Sequence, residues 1–209
     1  MIPKIRLACW VTATVFLAAC DMNKVAATVR VELESPTPEQ TAAAAVILQN
    51  RLSELVSSFS RVTATPAGTS VDVVITGNAP PDELIRGYAS IQGVMRMFLA
   101  ESPVNVVITD RDVEQAAASE GDSGPLINLL LSQPAGDRMQ DFTRRNVGKV
   151  MVTSWDRKTE TRAVISGVFG GRFQTSGLDL DTAKLWVVML RHGRLPVAVR
   201  SVEIRHPAT

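Results

Sequence analysis

Residues 28–34, Thr-Val-Arg-Val-Glu-Leu-Glu, alternate without a break, with Val29, Val31 and Leu33 on one face and polar groups on the other. A period of two is a strand with one buried face, and one wet face points to an antiparallel sheet covered on one side only. The next segment supplies the cover. Thr37 is placed to be an N-cap, Pro38 the first helical residue and Gln40 the capping-box partner. Ala45, Leu48, Leu52 and Leu55 then recur at helical spacing as one apolar stripe. Two short strands follow around Pro66-Ala67-Gly68-Thr69, the second alternating at Val71, Val73 and Ile75. A second helix is expected in 80–93 and a further strand in 94–102. The order is β-α-β-β-α-β, the ferredoxin-like arrangement.

The rest of the chain reads differently. The spacing of Thr109 and Asp112 is a capping pattern that predicts a short helix through the alanines 116–118. Residues 125–132 are a continuous apolar run, expected to be a strand buried on both faces. A helix with Met139 and Phe142 inward follows, then strands in 149–155, 161–171 and 172–177. Asp179 is expected to cap a last helix holding Ala183, Trp186, Val187 and Leu190, ended by Gly193 and Pro196. A final strand starts after Leu195-Pro196, and its alternation breaks between Val199 and Val202, which predicts a bulge near Arg200-Ser201.

The first twenty residues read as an address. Lys4 and Arg6 precede an apolar run from Leu7 to Phe16, and small residues follow; this is the pattern of a secretory signal. Leu17-Ala18-Ala19-Cys20 resembles the bacterial lipobox. That resemblance implies cleavage between Ala19 and Cys20 and a diacylglycerol on the Cys20 sulfur. A plain signal peptide or a short anchor helix, with Cys20 incidental, is the alternative. Cys9 follows Arg6 too closely to leave an apolar run before it. With Cys9 removed and Cys20 acylated, the mature chain has no thiol. Asp21 resembles an inner-membrane retention signal, and 22–27 look like a short tether.

Composition removes several classes of function. Net charge is +1 and aromatics are 5%, so there is neither a basic footprint nor a stacking platform for nucleic acid. Beyond the N-terminal segment no apolar run reaches the roughly 18 residues a membrane span needs. Gly121-Asp122-Ser123-Gly124-Pro125 invites comparison with a serine-protease nucleophile loop. The comparison fails because the only histidines, His192 and His206, lie near the C-terminus outside any recognisable base motif. The glycines of 167–171 lack the Lys-Ser/Thr of a phosphate loop. Asp110 and Asp112 read as capping groups, and His192 and Arg144-Arg145 as cations suited to helix C-termini. With no converging nucleophile, base or metal set, the reading is not an enzyme and names no cofactor and no metal.

The second half resembles the first periplasmic domain of the SecD family, the membrane subunit that assists the Sec translocase. The resemblance runs through an ordered series: 107–119, then 124–132 with 135–156, including Thr143-x-x-Asn146-x-Gly148-Lys149, then 165–177, then 182–204 with its Leu-Arg-x-Gly-x-Leu-Pro ending. Residues 42–55 add an Arg51-Leu52 helix similar to the family's base subdomain. The chain departs from the family at 155–164, where a shorter Asp-Gly turn is usual, and at 174–181. The resemblance implies an α+β protein: a ferredoxin-like base (βαββαβ) with an α+β head subdomain inserted before the last strand. The expected limits are 1–19 signal peptide, 20–27 tether, 28–102 plus 196–206 base and 103–195 head, with base and head as separate packing units. In SecD the Leu-Pro strand leads into a transmembrane helix; here the sequence ends at Thr209. The expectation is a lipid-anchored periplasmic module that contacts unfolded or translocating polypeptide, or the Sec translocase, without proton coupling. An envelope adaptor that keeps the fold with another partner is the alternative. Trp155, on the opposite strand face from Val150 and Val152, with Phe169 and Phe173, are the candidate polypeptide contacts; the other reading makes all three core.

Overall fold

A computed structural model of the protein describes residues 24–122 and 124–208. The expectations for Ala19, Cys20, Asp21 and Ser123 lie outside these residues. Among the described residues no helix is long and apolar enough to cross a membrane.

Strand β1 (Val25–Leu33) is central in the first sheet, and helix α1 (Pro38–Ser53) lies on its apolar face. The capping box that starts α1 is complete: Gln40 N–H donates to Thr37 Oγ1 at 3.3 Å and Thr37 N–H donates to Gln40 Oε1 at 2.9 Å. β2 (Arg61–Ala67) and β3 (Ser70–Thr76) form a hairpin, and α2 (Asp82–Ser90) packs beside α1. The sheet order is β11-β1-β3-β2, with β11 (Val199–Arg205) on one edge and every neighbour antiparallel. Val29, Val31 and Leu33 meet Val71, Val73 and Ile75 under Leu48 and Leu52, all essentially buried. Replacing one such leucine by alanine costs about 2–5 kcal/mol.

The fold is mixed α+β with antiparallel sheets, as the sequence implied. One strand is placed differently. β4 (Met95–Leu99), expected to close the first sheet, pairs instead with β5 (Ile108–Thr109) and β8 (Val150–Trp155) in a sheet ordered β5-β4-β8-β9, where β9 is Thr159–Val164. Met95, Met97, Phe98 and Leu99 are all buried; a strand apolar on both faces does not suit an edge whose outer face is wet. β11 does suit it, with Val202 and Ile204 turned in and Ser201, Glu203 and Arg205 out. Its register slips where the alternation breaks: Glu32 opposes Ser201 and Leu33 opposes Val199, leaving Arg200 as the extra residue.

The expected helix after Thr109 is also corrected. The cap exists, since Asp112 accepts from Thr109 N–H at 2.8 Å and from its hydroxyl at 3.0 Å, but it closes only a 3₁₀ turn, Asp110–Asp112. The chain then extends as β6 (Val113–Gly121) against β7 (Gly124–Leu131). The alanines 116–118 are small enough to follow either period, and β7, rich in leucine, supplies the pairing partner. β7 itself is buried on one face only: Ile127, Leu129 and Leu131 are inside, while Leu126 and Leu130 are half-buried. β10 (Arg172–Ser176) completes the third sheet, ordered β10-β7-β6.

Helix α3 is Gln133–Arg145, and α4 is Leu180–His192. α4 is capped by Asp179, which accepts from Thr182 N–H at 2.9 Å, and Gly193 ends it at φ +81°. α4 packs on β6 and β7 and also touches α1 and α2. Separate packing units were expected; the buried residues form one continuous cluster instead. Trp186, Val187, Val188, Met189 and Leu190 of α4 are all buried, so the helix is apolar over most of its circumference and faces both halves at once.

Candidate functional site

Two places gather candidate functional side chains, one on the second half and one where the halves join. The first is an open groove of about 820 Å³ whose walls include Ala116, Leu130, Met151, Ile165, Phe169 and Phe173. Phe169 and Phe173 are half-buried, with ring centroids 5.5 Å apart and planes tilted by 42°. This is a favourable aromatic geometry that leaves part of each ring on the surface. Arg172, Gln174 and Asn128 lie at the same groove, and Gln174 donates to Asn128 Oδ1 at 2.7 Å. β9 and β10, which contribute to its walls, are edge strands of their sheets.

The segment carrying Phe169 is held from below at three points. Ile165 N–H donates to the Lys149 carbonyl at 2.9 Å, Phe169 N–H to Thr143 Oγ1 at 3.1 Å, and Leu131 N–H to the Gly171 carbonyl at 2.8 Å. Thr143 is fully buried. α3 approaches this segment so closely that a Cβ on Gly136 would lie 2.9 Å from Gly171 Cα. These supports are the residues that sequence reasoning missed as site-forming. Their signal was present: Thr143 and Lys149 belong to the Thr-x-x-Asn-x-Gly-Lys series, and Gly170-Gly171 was visible as a glycine pair.

Of the three candidate contacts, the structure groups two. Trp155 is fully buried, its ring centroid 4.5 Å from that of Trp186, so it offers no surface to a partner. It is turned into the shared core that α4 creates, which the strand alternation alone does not reveal.

The second place is where the two halves join. Arg51, fully buried in α1, donates from Nη1 to the Ile91 carbonyl at 2.6 Å and from Nη2 to the carbonyls of Gln92 at 3.0 Å and Gly193 at 2.6 Å. Burial pushes its guanidinium down to about 10, against the pull of the nearby Asp156 carboxylate. Asp156 accepts from Gly93 N–H at 3.0 Å and Val94 N–H at 2.6 Å. Both connecting segments, 91–94 and 193–198, are therefore fixed by charged groups whose partners are backbone.

The remaining titratable residues act locally. Burial pushes the Asp110 carboxyl up, while Arg194, 3.8 Å away, pulls it down. Asp112 lies below its ordinary range: burial raises it, but the bonds from Thr109 and Arg138 outweigh that. His192 and Arg191 both meet Glu54 Oε1 at 2.9 Å, and Arg144 pairs with Asp141 at the end of α3. Among the described residues no group of three or more His, Cys, Asp or Glu side chains is placed to hold a metal ion.

The fold and the groove define an α+β module of two lobes around one shared core, the first lobe carrying the β11-β1-β3-β2 sheet and the second the other two sheets with an open, mostly apolar groove. Residues 95–197 match the family model of the SecDF P1 head subdomain, so this part of the chain is similar to the periplasmic P1 domain of SecD. The match begins at Met95, the first residue of β4. SecD of Acidaminococcus fermentans is 34% identical over 104 residues, 48% of this chain and 25% of that protein. SecDF of Thermus thermophilus is 29% identical over 102 residues, 47% of this chain and 14% of that protein. The chain thus spans a quarter or less of these relatives. In fold, SecDF in its super-membrane-facing form superposes with a TM-score of 0.72 at 19% identity, covering 88% of this chain and 30% of that one. A second structure, described as that of a membrane component SecDF that enhances protein export, gives a TM-score of 0.68 at 19% identity, covering 87% of this chain and 99% of that one.

Proposed function

We propose that the protein is a lipid-anchored, periplasm-facing SecD-like module that holds unfolded or translocating polypeptide, alone or at the Sec translocase. The observation that carries the reading is the groove lined by the half-buried Phe169 and Phe173, with edge strands β9 and β10 in its walls. An unfolded chain presents mixed side chains but a constant backbone. Apolar walls suit the first, and free N–H and C=O groups at a strand edge suit the second. The volume, about 820 Å³, is in the range of ligand pockets and accommodates a few side chains at a time. The proposed role is contact alone, without proton coupling. The anchor rests on Lys4, Arg6, the apolar run and the Leu-Ala-Ala-Cys ending at Cys20, and Asp21 favours the inner membrane.

The test is binding of the full chain, purified in detergent, to a reduced and carboxymethylated polypeptide that cannot fold. Phe169→Ala and Phe173→Ala are expected to weaken binding about fivefold or more with far-UV circular dichroism unchanged. Binding equal to wild type in both variants sinks the polypeptide reading and favours an adaptor role with another partner. Loss of binding that merely follows loss of folded protein sinks it too.

A further inference from the structure

The geometry points to a second site, an oxyanion-binding cleft at the junction of the two lobes. The cleft, of about 410 Å³, lies between the 91–94 connector, the β8–β9 turn and the 193–198 connector. Four cationic side chains line it, Arg96, Arg157, Lys158 and Arg194, against one carboxylate, Asp156. That carboxylate is already occupied by the N–H groups of Gly93 and Val94. Arg194 has only a long 3.8 Å pair with Asp110. Arg96, Arg157 and Lys158 have no ion-pair partner among the described residues, so three cations converge on the cleft with their charge uncompensated.

The backbone places two of these cations at the cleft through a tight turn. Asp156 and Arg157 are consecutive non-glycine residues in the left-handed region, at φ +50° and +59°. Such a conformation costs roughly 1–2 kcal/mol per residue for a side chain with a Cβ. For Asp156 the bonds to Gly93 and Val94 compensate, together with its own N–H donating to the Val94 carbonyl at 2.8 Å. For Arg157 the positive φ belongs to the tight β8–β9 hairpin turn, closed by Lys158 N–H donating to the Trp155 carbonyl at 3.0 Å, and glycine would be the unstrained residue there. The turn presents Arg157 and Lys158 at the cleft, where with Arg96 and Arg194 they leave an excess of positive charge that an anionic ligand would offset.

The ligand chemistry is a group offering two or more anionic oxygens, because guanidinium forks bind carboxylate and phosphate bidentately. Two sources share that chemistry: the carboxylates of an acidic polypeptide segment and free phosphate. Either would bridge the second lobe, through Arg96, Arg157 and Lys158, to the connector that returns to the first, through Arg194.

The experiment measures binding of a fluorescein-labelled hexaglutamate peptide to the full chain in detergent at low ionic strength, with inorganic phosphate as competitor. Saturable binding is expected, lost in 0.5 M salt because exposed charges are screened there. Arg157→Gly and Lys158→Gln should each weaken it about tenfold. Arg157→Gly should do so with an unchanged or higher melting temperature, since it removes the left-handed strain. Arg145→Gln, at the far end of α3, should bind as wild type. Displacement by millimolar phosphate identifies a free oxyanion as sufficient, and resistance to it identifies an acidic segment as the occupant; both support the site. Absence of saturable binding, wild-type affinity in both cleft variants, or equal weakening by Arg145→Gln overturns it.

Discussion

Arg51 Nη2 donates to the Gly193 carbonyl at 2.6 Å, joining the last turn of α1 to the residue that ends α4. The same guanidinium holds the carbonyls of Ile91 and Gln92, so one buried side chain ties the first lobe to both connectors. Removing it leaves these carbonyls buried with their donor gone, at about 1–3 kcal/mol for each that water does not reach. Arg51→Met is therefore expected to cost roughly 2–4 kcal/mol, a fall of about 5–15 °C in melting temperature for a domain of this size. Arg51→Lys should recover only part, because an ammonium is a point donor where this site uses a fork. A calorimetric melt of Arg51→Met within 1 °C of wild type would show that the junction does not depend on this residue.

Gly136 should be the most sensitive glycine at the groove. Its added Cβ would lie 2.9 Å from Gly171 Cα, which is backbone and cannot rotate away. Gly136→Ala is expected to destabilise by about 1–3 kcal/mol through overpacking and to weaken polypeptide binding as well, because the Gly170-Gly171 segment also carries Phe169 and Phe173. Gly148→Ala is the contrast: φ is +87° but nothing lies within 4 Å of the new Cβ, so it should cost about 1 kcal/mol of stability with groove affinity unchanged. Equal affinity losses in the two variants would contradict this division.

Local chemistry was readable wherever it was self-contained. The Thr37–Gln40 box, the alternation of β1 and β3, the Asp179 cap, the Gly193 stop and the bulge at Arg200 all depend on near neighbours in sequence. Elements decided by distant partners were not. β4 reads as a strand in isolation, but only β8 decides which sheet it joins. The alanines of β6 follow the apolar strand beside them rather than the Thr109 cap before them. Trp155 could be placed on a strand face, but not on the buried side, without knowing that Trp186 would lie against it. Arg51 was legible only as half of the Arg51-Leu52 pair, and nothing near it in sequence shows that its partners are 40 and 142 residues away.

Cys20 is the residue on which the proposed anchor depends. Cys20→Ser removes the thiol that would carry the lipid while leaving Lys4, Arg6 and the apolar run intact. The variant is expected to accumulate as an unprocessed precursor, and metabolic labelling with a radioactive fatty acid should fall to background. A processed, labelled Cys20→Ser protein in the membrane fraction would exclude lipidation at this position.

His206 should make the end of β11 sensitive to pH. Its Nε2 lies 2.9 Å from Asp82 Oδ1 and its Nδ1 3.1 Å from the Ala26 carbonyl. Both partners only accept, so the ring satisfies both only when both nitrogens carry protons, as the imidazolium. The Asp82 bond, with help from Ala26, accordingly raises the group above its ordinary 6.5. The unfolded chain lacks these bonds, so the folded state holds the proton more tightly. The stabilising contribution is complete below about pH 6.5 and fades as the pH rises through the folded-state value. His206 is exposed, so the effect on global stability is small and the local titration is the sharper readout. In a two-dimensional NMR titration of the imidazoles, His206 should titrate above 6.5 in wild type and return toward it in Asp82→Asn. The wild-type melting temperature should decline between pH 5.5 and 8.5 relative to His206→Gln. A His206 midpoint at or below 6.5 in wild type would mean that the contact across Asp82, Ala26 and His206 is not maintained in solution.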